Sequence, residues 1–263
     1  MELSKPGLNI LQPDWKGIAP DGVDALFTLR SGGVSSGPWG GADGVMGLNV
    51  APHTGDFPAC VRMNRSIAAQ LVPADPVWLR QVHGTEVVEA DAVKGEPEAD
   101  ASYTLKPGVV CTVMVGDCLP VLIAERRSRA VAAVHASWRS LAAGIVQKTV
   151  RILREKVGPD ADFAAWLGPR IGPEAFEVGP EVLEAMKALL PQAEQGFRRE
   201  GGKLFCDLGA LAAQALCAEG LAQKNIVDCR LSTYADPKRF YSYRRDGEKS
   251  GRHAAMIWIK PAA

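Results

Sequence analysis

The chain lacks net charge: 30 Lys plus Arg balance 30 Asp plus Glu over 263 residues. No overall field draws it to nucleic acid or to an anionic membrane, so any cationic site must be local. It also lacks an apolar run approaching the ~20 residues needed to span a bilayer. The opening MELSKPGLNILQPDW has neither a cationic start followed by an apolar run nor a small-residue cleavage site, and a cytoplasmic protein is expected. Six cysteines (Cys60, Cys111, Cys118, Cys206, Cys217, Cys229) are scattered without a CxxC pair or a disulfide pattern. Most should be reduced, buried small hydrophobes. Low-complexity linkers and internal repeats are absent. The simplest organisation is one α/β (α+β) domain over 1–263, a mixed β-sheet flanked by helices, and a monomer suffices for that size.

Hydrophobic content is 47%, ample for a core. Apolar runs predict strands at 25–30, 77–82, 86–90, 101–104, 108–115, 119–125, 164–168, 226–231 and 254–259. Helical spacing predicts helices at 57–71, 139–157, 181–190 and 208–219; the second carries a stripe of Ala142, Val146, Val150, Leu153 and Val157 and stops at Gly158-Pro159. The segment 31–49 (SGGVSSGPWGGADGVMGLN) is either a plain flexible loop or a backbone cradle for a polar ligand.

The chain is organised around 130–141, AVAAVHASWRSL, where a buried strand gives way to a helix at His135. Ligands commonly bind at that edge of a sheet, and the free N–H groups of a following helix favour an anion. The plainer alternative is a core histidine satisfied by one hydrogen bond. His83, in the turn QVHG, and Cys118, after the break Gly116-Asp117, share this placement beside strands. Two imidazoles and a thiolate suit tetrahedral zinc, with a fourth position left for water or substrate and a bound water acidified toward neutrality. Their spacing is not local, so spacing alone leaves metal ligation and ordinary structural roles both open.

QVHGTEV at 81–87, GDCLPVLIAE at 116–125, AAVHASWRSLAAGI at 132–145, WLGPRIGPEAFEVGPEV at 166–182 and FYSYRRDG at 240–247 together resemble the YfiH-like laccase-domain family. The resemblance runs from about Leu26 to the carboxyl terminus. It implies a zinc site formed by His83, Cys118 and His135, the catalytic residues. It also implies phosphorolysis of purine nucleosides such as adenosine, inosine and guanosine, with inorganic phosphate as co-substrate, giving the base and ribose 1-phosphate. Adenosine deamination and methylthioadenosine phosphorolysis belong to the same repertoire. Phosphate needs arginine and backbone donors. Arg30 and Ser35 beside the GGVS turn, Arg139, Arg170 and Arg244 are the candidates for substrate contacts, and Asp117 for orienting a ligand histidine. Ser137 and Ser140 stand where the family commonly has glycine, and Ser232 where it has cysteine. A serine at a positive-φ glycine position would reshape the pocket. His53 and His253 read as structural or exposed.

Two other chemistries use the same residue types. Copper takes two histidines and a cysteine, as in a polyphenol oxidase. A multicopper oxidase needs many histidines, however, and this chain has four. A metal-free cysteine hydrolase acting on cell-wall precursors would use Cys118 as nucleophile and His135 as base.

Overall fold

Alternation along the last strand shows how the layers are built. In β15 (His253–Ile259), Ala255, Ile257 and Ile259 face one way, Ala254, Met256 and Trp258 the other, and all six are buried. A strand buried on both faces needs a layer on each. The computed structural model, which describes residues 2–5 and 8–261, supplies four such layers. β15 lies in an antiparallel five-stranded sheet with β1 (Glu2–Lys5), β2 (Leu8–Leu11), β3 (Val23–Thr28) and β7 (Val110–Val115), in the order β1-β2-β3-β15-β7. The strand β4 (Ser31–Ser35) follows β3 and bridges to Gly47.

The second large sheet contains β5 (Val87–Glu89), β6 (Ala101–Thr104), β8 (Leu119–Glu125), β9 (Val131–Ala136), β10 (Phe163–Leu167) and β14 (Ile226–Asp228). Its order is β14-β10-β8-β9-β6-β5. The outer pairs are parallel and the inner ones antiparallel, the mixed sheet expected from the sequence. The two sheets pack face to face through Phe27, Val113, Leu122, Ala133, Trp166 and Ile257. Each fully buried large side chain there contributes roughly 1.5–3 kcal/mol. Helices α3 (Ile145–Val157) and α5 (Leu208–Ala218) cover the outside of the mixed sheet, while α1 (Pro58–Ala69) lies against the outside of the antiparallel one through Ala68. Helices thus flank the mixed sheet on one face only; its other face is taken by the antiparallel sheet. Three short strands, β11 (Glu177–Val178), β12 (Phe197–Glu200) and β13 (Lys203–Cys206), form a small separate sheet. Short helices α2 (Trp138–Ala142), α4 (Pro180–Lys187) and α6 (Tyr243–Asp246) are the remaining α-helices of the described residues.

Three expected elements differ. The strand read over 226–231 ends at Asp228, and Arg230 beyond it takes a positive φ of 53°. The helix read over 139–157 is broken into α2 and α3, because Gly144 takes a left-handed φ of 85°. The segment 77–82 makes only isolated bridges, Val77 to Cys111 and Arg80 to Glu98. The side chain of Gln81 does the pairing that a strand would do, since its Nε2 donates to the Met114 carbonyl (2.7 Å) and its Oε1 accepts from the Met114 N–H (2.6 Å). A side-chain amide has one donor and one acceptor edge, as a peptide does, so it satisfies the margin of β7 without a paired backbone.

Candidate metal centre and its pocket

Antiparallel pairing sets Pro120 of β8 opposite His135 of β9. Residues two apart share a face, so Cys118 continues that alternation and lies diagonally beside His135 on the side facing the other sheet. His83 arrives from the turn after 77–82, held at a φ of 61°. The potential ligand atoms of His83, Cys118 and His135 all lie within 4.8 Å of one another. The two imidazole rings are 4.9 Å apart and nearly perpendicular. Two nitrogens and one sulfur converging, with no fourth ligand among the described residues, fit a zinc site with an open position, and the same donors suit copper.

Asp100 holds both histidines. Its carboxylate accepts from the backbone N–H of Val82 (3.1 Å), His83 (3.0 Å) and Gly84 (2.7 Å), and its Oδ1 lies 2.7 Å from His135 Nδ1. That contact leaves His135 Nε2 as the atom that could serve a metal. Burial opposes ionisation of Asp100, but His135 and the N–H groups outweigh it and hold the carboxyl below its usual range. Burial also opposes the His135 imidazolium; Cys118 and Asp100 prevail and raise it to about 9. His83 is lowered to about 4, by burial first and by His135 second.

The three residues lie in a cavity of about 500 Å³. Trp138, Ile171, Phe176 and Leu208 line it from elements of the helix-covered side; His53, Gln81, Met114 and Arg252 line it from the side of the antiparallel sheet. Arg139 and Arg244 line it, stacked over Trp138 (4.4 Å) and Phe176 (5.4 Å). Asp117 also lines it, but not as the partner of a histidine. It accepts from Thr233 Oγ1 (2.6 Å), Ser242 Oγ (3.1 Å) and the Arg244 N–H (2.6 Å), clamping the 232–246 segment onto the Cys118 turn. The orienting carboxylate is Asp100.

Three expected substrate contacts lie elsewhere. Arg170 is buried and donates through Nη1 and Nη2 to both oxygens of Asp228 (2.8 Å each), with Asp207 at 3.4 Å; its charge is consumed inside the fold. Arg30 donates to the carbonyls of Gly40 and Pro237 and rests over Tyr241, fastening the glycine-rich segment. Ser35 is buried, donating to Asp56 and accepting from Asn64. That network makes the 31–49 segment a structural loop rather than a ligand cradle. Ser137 adopts an ordinary extended φ of −68° and caps α2 by accepting from the Ser140 N–H, so serine imposes no strain there. Ser232 accepts from the N–H of Gly172 and Ala235, outside this cavity.

His253 is structural as expected, buried with Nε2 accepting from the Tyr241 N–H. His53 is exposed, as expected, and lines the pocket, where desolvation, then Arg252 and Arg65, hold it below its ordinary value. Asp100 and Arg252 escape a reading of the sequence because each stands in a plain polar run, EADAS and SGRHA, with no local signal of a site.

A four-layer sandwich with a candidate His–Cys–His centre where two sheets meet defines the class of this protein. The chain belongs to the multi-copper polyphenol oxidoreductase laccase family, whose family model matches residues 24–260. It is 43% identical over 256 residues to "Purine nucleoside phosphorylase YfiH" of Escherichia coli, covering 95% of this chain and 98% of that one. It is 42% identical over 252 residues to "Purine nucleoside phosphorylase PA4543" of Pseudomonas aeruginosa, with the same coverage. The crystal structure of Neisseria meningitidis protein NMB0706 superposes with a TM-score of 0.86 at 42% identity, over 96% of this chain and 99% of that one. YfiH of Bacillus licheniformis gives a TM-score of 0.85 at 26% identity, over 98% of each.

Proposed function

We propose that this chain is a zinc-dependent purine nucleoside phosphorylase that converts adenosine, inosine or guanosine and phosphate to the purine base and ribose 1-phosphate. The observation that carries the reading is the convergence of His83, Cys118 and His135 in a cavity whose volume falls within the roughly 300–1,000 Å³ of small-molecule sites. The names of the Escherichia coli and Pseudomonas aeruginosa relatives support it. In the reaction a phosphate oxygen bonds to C1′ as the C1′–N9 bond breaks. The electron pair leaves with the purine, which takes up one proton. Trp138, Ile171, Phe176 and Leu208 supply the apolar walls for a purine ring and exclude water from it. Arg139 and Arg244 stand beside two of those walls as substrate-binding cations. His83, Cys118 and His135 would hold zinc, which when bound supplies a Lewis acid at the pocket. Adenosine deamination and methylthioadenosine phosphorolysis are assigned to the same pocket as further reactions, with a cytoplasmic location.

The test is metal analysis together with product analysis after incubation with adenosine and phosphate, for the wild type and Cys118→Ala. The expected result is about one zinc per chain and adenine plus ribose 1-phosphate from the wild type, with metal and products both lost in the variant. Copper with phenol oxidation would replace this reading by an oxidase. Activity on amides without metal would replace it by a cysteine hydrolase.

A further inference from the structure

Arginines withdrawn from solvent in this chain mostly meet a carboxylate. Arg170 has Asp228, Arg245 has Asp246, and Arg65 has Glu96. Arg252 does not. Its stem runs beneath Gly116, where an added Cβ would meet its Cδ at 2.7 Å, and it lines the same cavity as Cys118. Nη1 donates to the carbonyls of Ser250 (2.6 Å) and Gly251 (3.0 Å), and the guanidinium covers the Tyr243 ring at 5.5 Å. Among the described residues no carboxylate forms an ion pair with it. Asp117 is nearby, but its oxygens are engaged by Thr233, Ser242 and the Arg244 N–H. Among the described residues, Nε and Nη2 donate to no acceptor.

An arginine stays charged at any physiological pH, and a half-buried guanidinium held by carbonyls alone, with no direct ion pair, gains from a bound anion. The guanidinium fork matches the paired oxygens of an oxyanion. His53 lines the cavity on the same sheet's side. We infer that Arg252, with His53, forms the anion subsite of this pocket and takes inorganic phosphate. The inference deepens the phosphorylase reading and rests on it for the identity of the anion. It also divides the cavity: phosphate lies on the side of the antiparallel sheet, the purine against the apolar walls from the helix-covered side, and the glycosidic carbon between them.

The test titrates inorganic phosphate into the zinc-loaded full chain by calorimetry, for the wild type, Arg252→Gln, Arg252→Lys and His53→Ala. KM for phosphate and for inosine are measured in parallel. Loss of a charge-assisted pair predicts phosphate binding weaker by about tenfold or more in Arg252→Gln. Partial recovery is expected in Arg252→Lys, with KM for inosine nearly unchanged. Should Arg252→Gln fail to fold by circular dichroism, the Lys and His53 variants carry the comparison. Phosphate affinity equal to the wild type's in these variants, or no phosphate binding by the wild type at millimolar concentration, overturns the subsite. Phosphate binding that depends on Arg252 without base formation leaves the subsite standing and removes the phosphorylase reading. Base formation with an unchanged KM for phosphate does the reverse.

Discussion

At the scale of single residues, Asp100 is the group whose loss tells most about the centre. One carboxylate fixes three successive N–H groups around His83 and the ring of His135. Asn in its place offers a single acceptor oxygen and turns a donor toward one of these partners. Asp100→Asn is therefore expected to lower zinc affinity 10–100-fold, measured by chelator competition, with the far-ultraviolet circular dichroism unchanged. Zinc affinity equal to the wild type's would show that the histidines hold their places without it. The three candidate ligands themselves stand out in the sequence, through QVHG, GDC and VHASW. Asp100 is not, because it stands 35 residues from His135 and 17 from His83, and only folding brings the three together. Arg170 shows the opposite failure. A charged residue in a Gly-Pro loop looks like a substrate contact, yet Asp228, 58 residues later, claims both ends of its guanidinium.

Elements are most legible where burial imposes a period. β6 and β8 match their expected limits, and α1, α5 and β15 fall within a residue or two of theirs. Periodicity cannot show the break at Gly144, since the apolar stripe continues across it from Ala142 to Val146. That break frees α2 to carry Trp138 to the pocket while α3 packs on the sheet. Alanine at 144 would have to hold a φ of 85° and set its Cβ 3.2 Å from Leu189 Cδ1. Gly144→Ala is expected to cost about 1–2 kcal/mol of stability, read from the urea midpoint at constant m-value. A neutral result would mean that the helices can merge into one. The short strands β11, β12 and β13 give no clear signal because they are half-exposed and lack strict alternation, although Gly201-Gly202 marks their hairpin with two positive φ angles.

At the scale of the whole molecule, His253 ties acid stability to the way the layers pack. Phe27, Phe240 and Tyr241 surround its ring within 5.0–5.8 Å, and burial lowers its pKa from 6.5 to about 3. Below pH 6.5 the unfolded chain binds a proton that the folded chain refuses until about pH 3. This residue therefore removes stability as pH falls through that window, at up to about 1.4 kcal/mol per pH unit. His253→Gln keeps an acceptor for the Tyr241 N–H and is expected to flatten the decline in urea midpoint as pH falls from about 6.5 to about 4.5. An unchanged slope would assign the acid sensitivity to other groups. The sequence by itself determined most of the buried strands and amphipathic helices and the mixed sheet, and it singled out His83, Cys118 and His135 as candidates, because hydrophobic period and motif identity are properties of adjacent residues. Only the tertiary structure decided that a second sheet, rather than more helices, covers the mixed one, and that Asp100, His53 and Arg252 reach the centre while Arg30, Ser35 and Arg170 do not. Those meetings depend on strand pairing and layer packing between residues far apart in the chain, which no local pattern encodes.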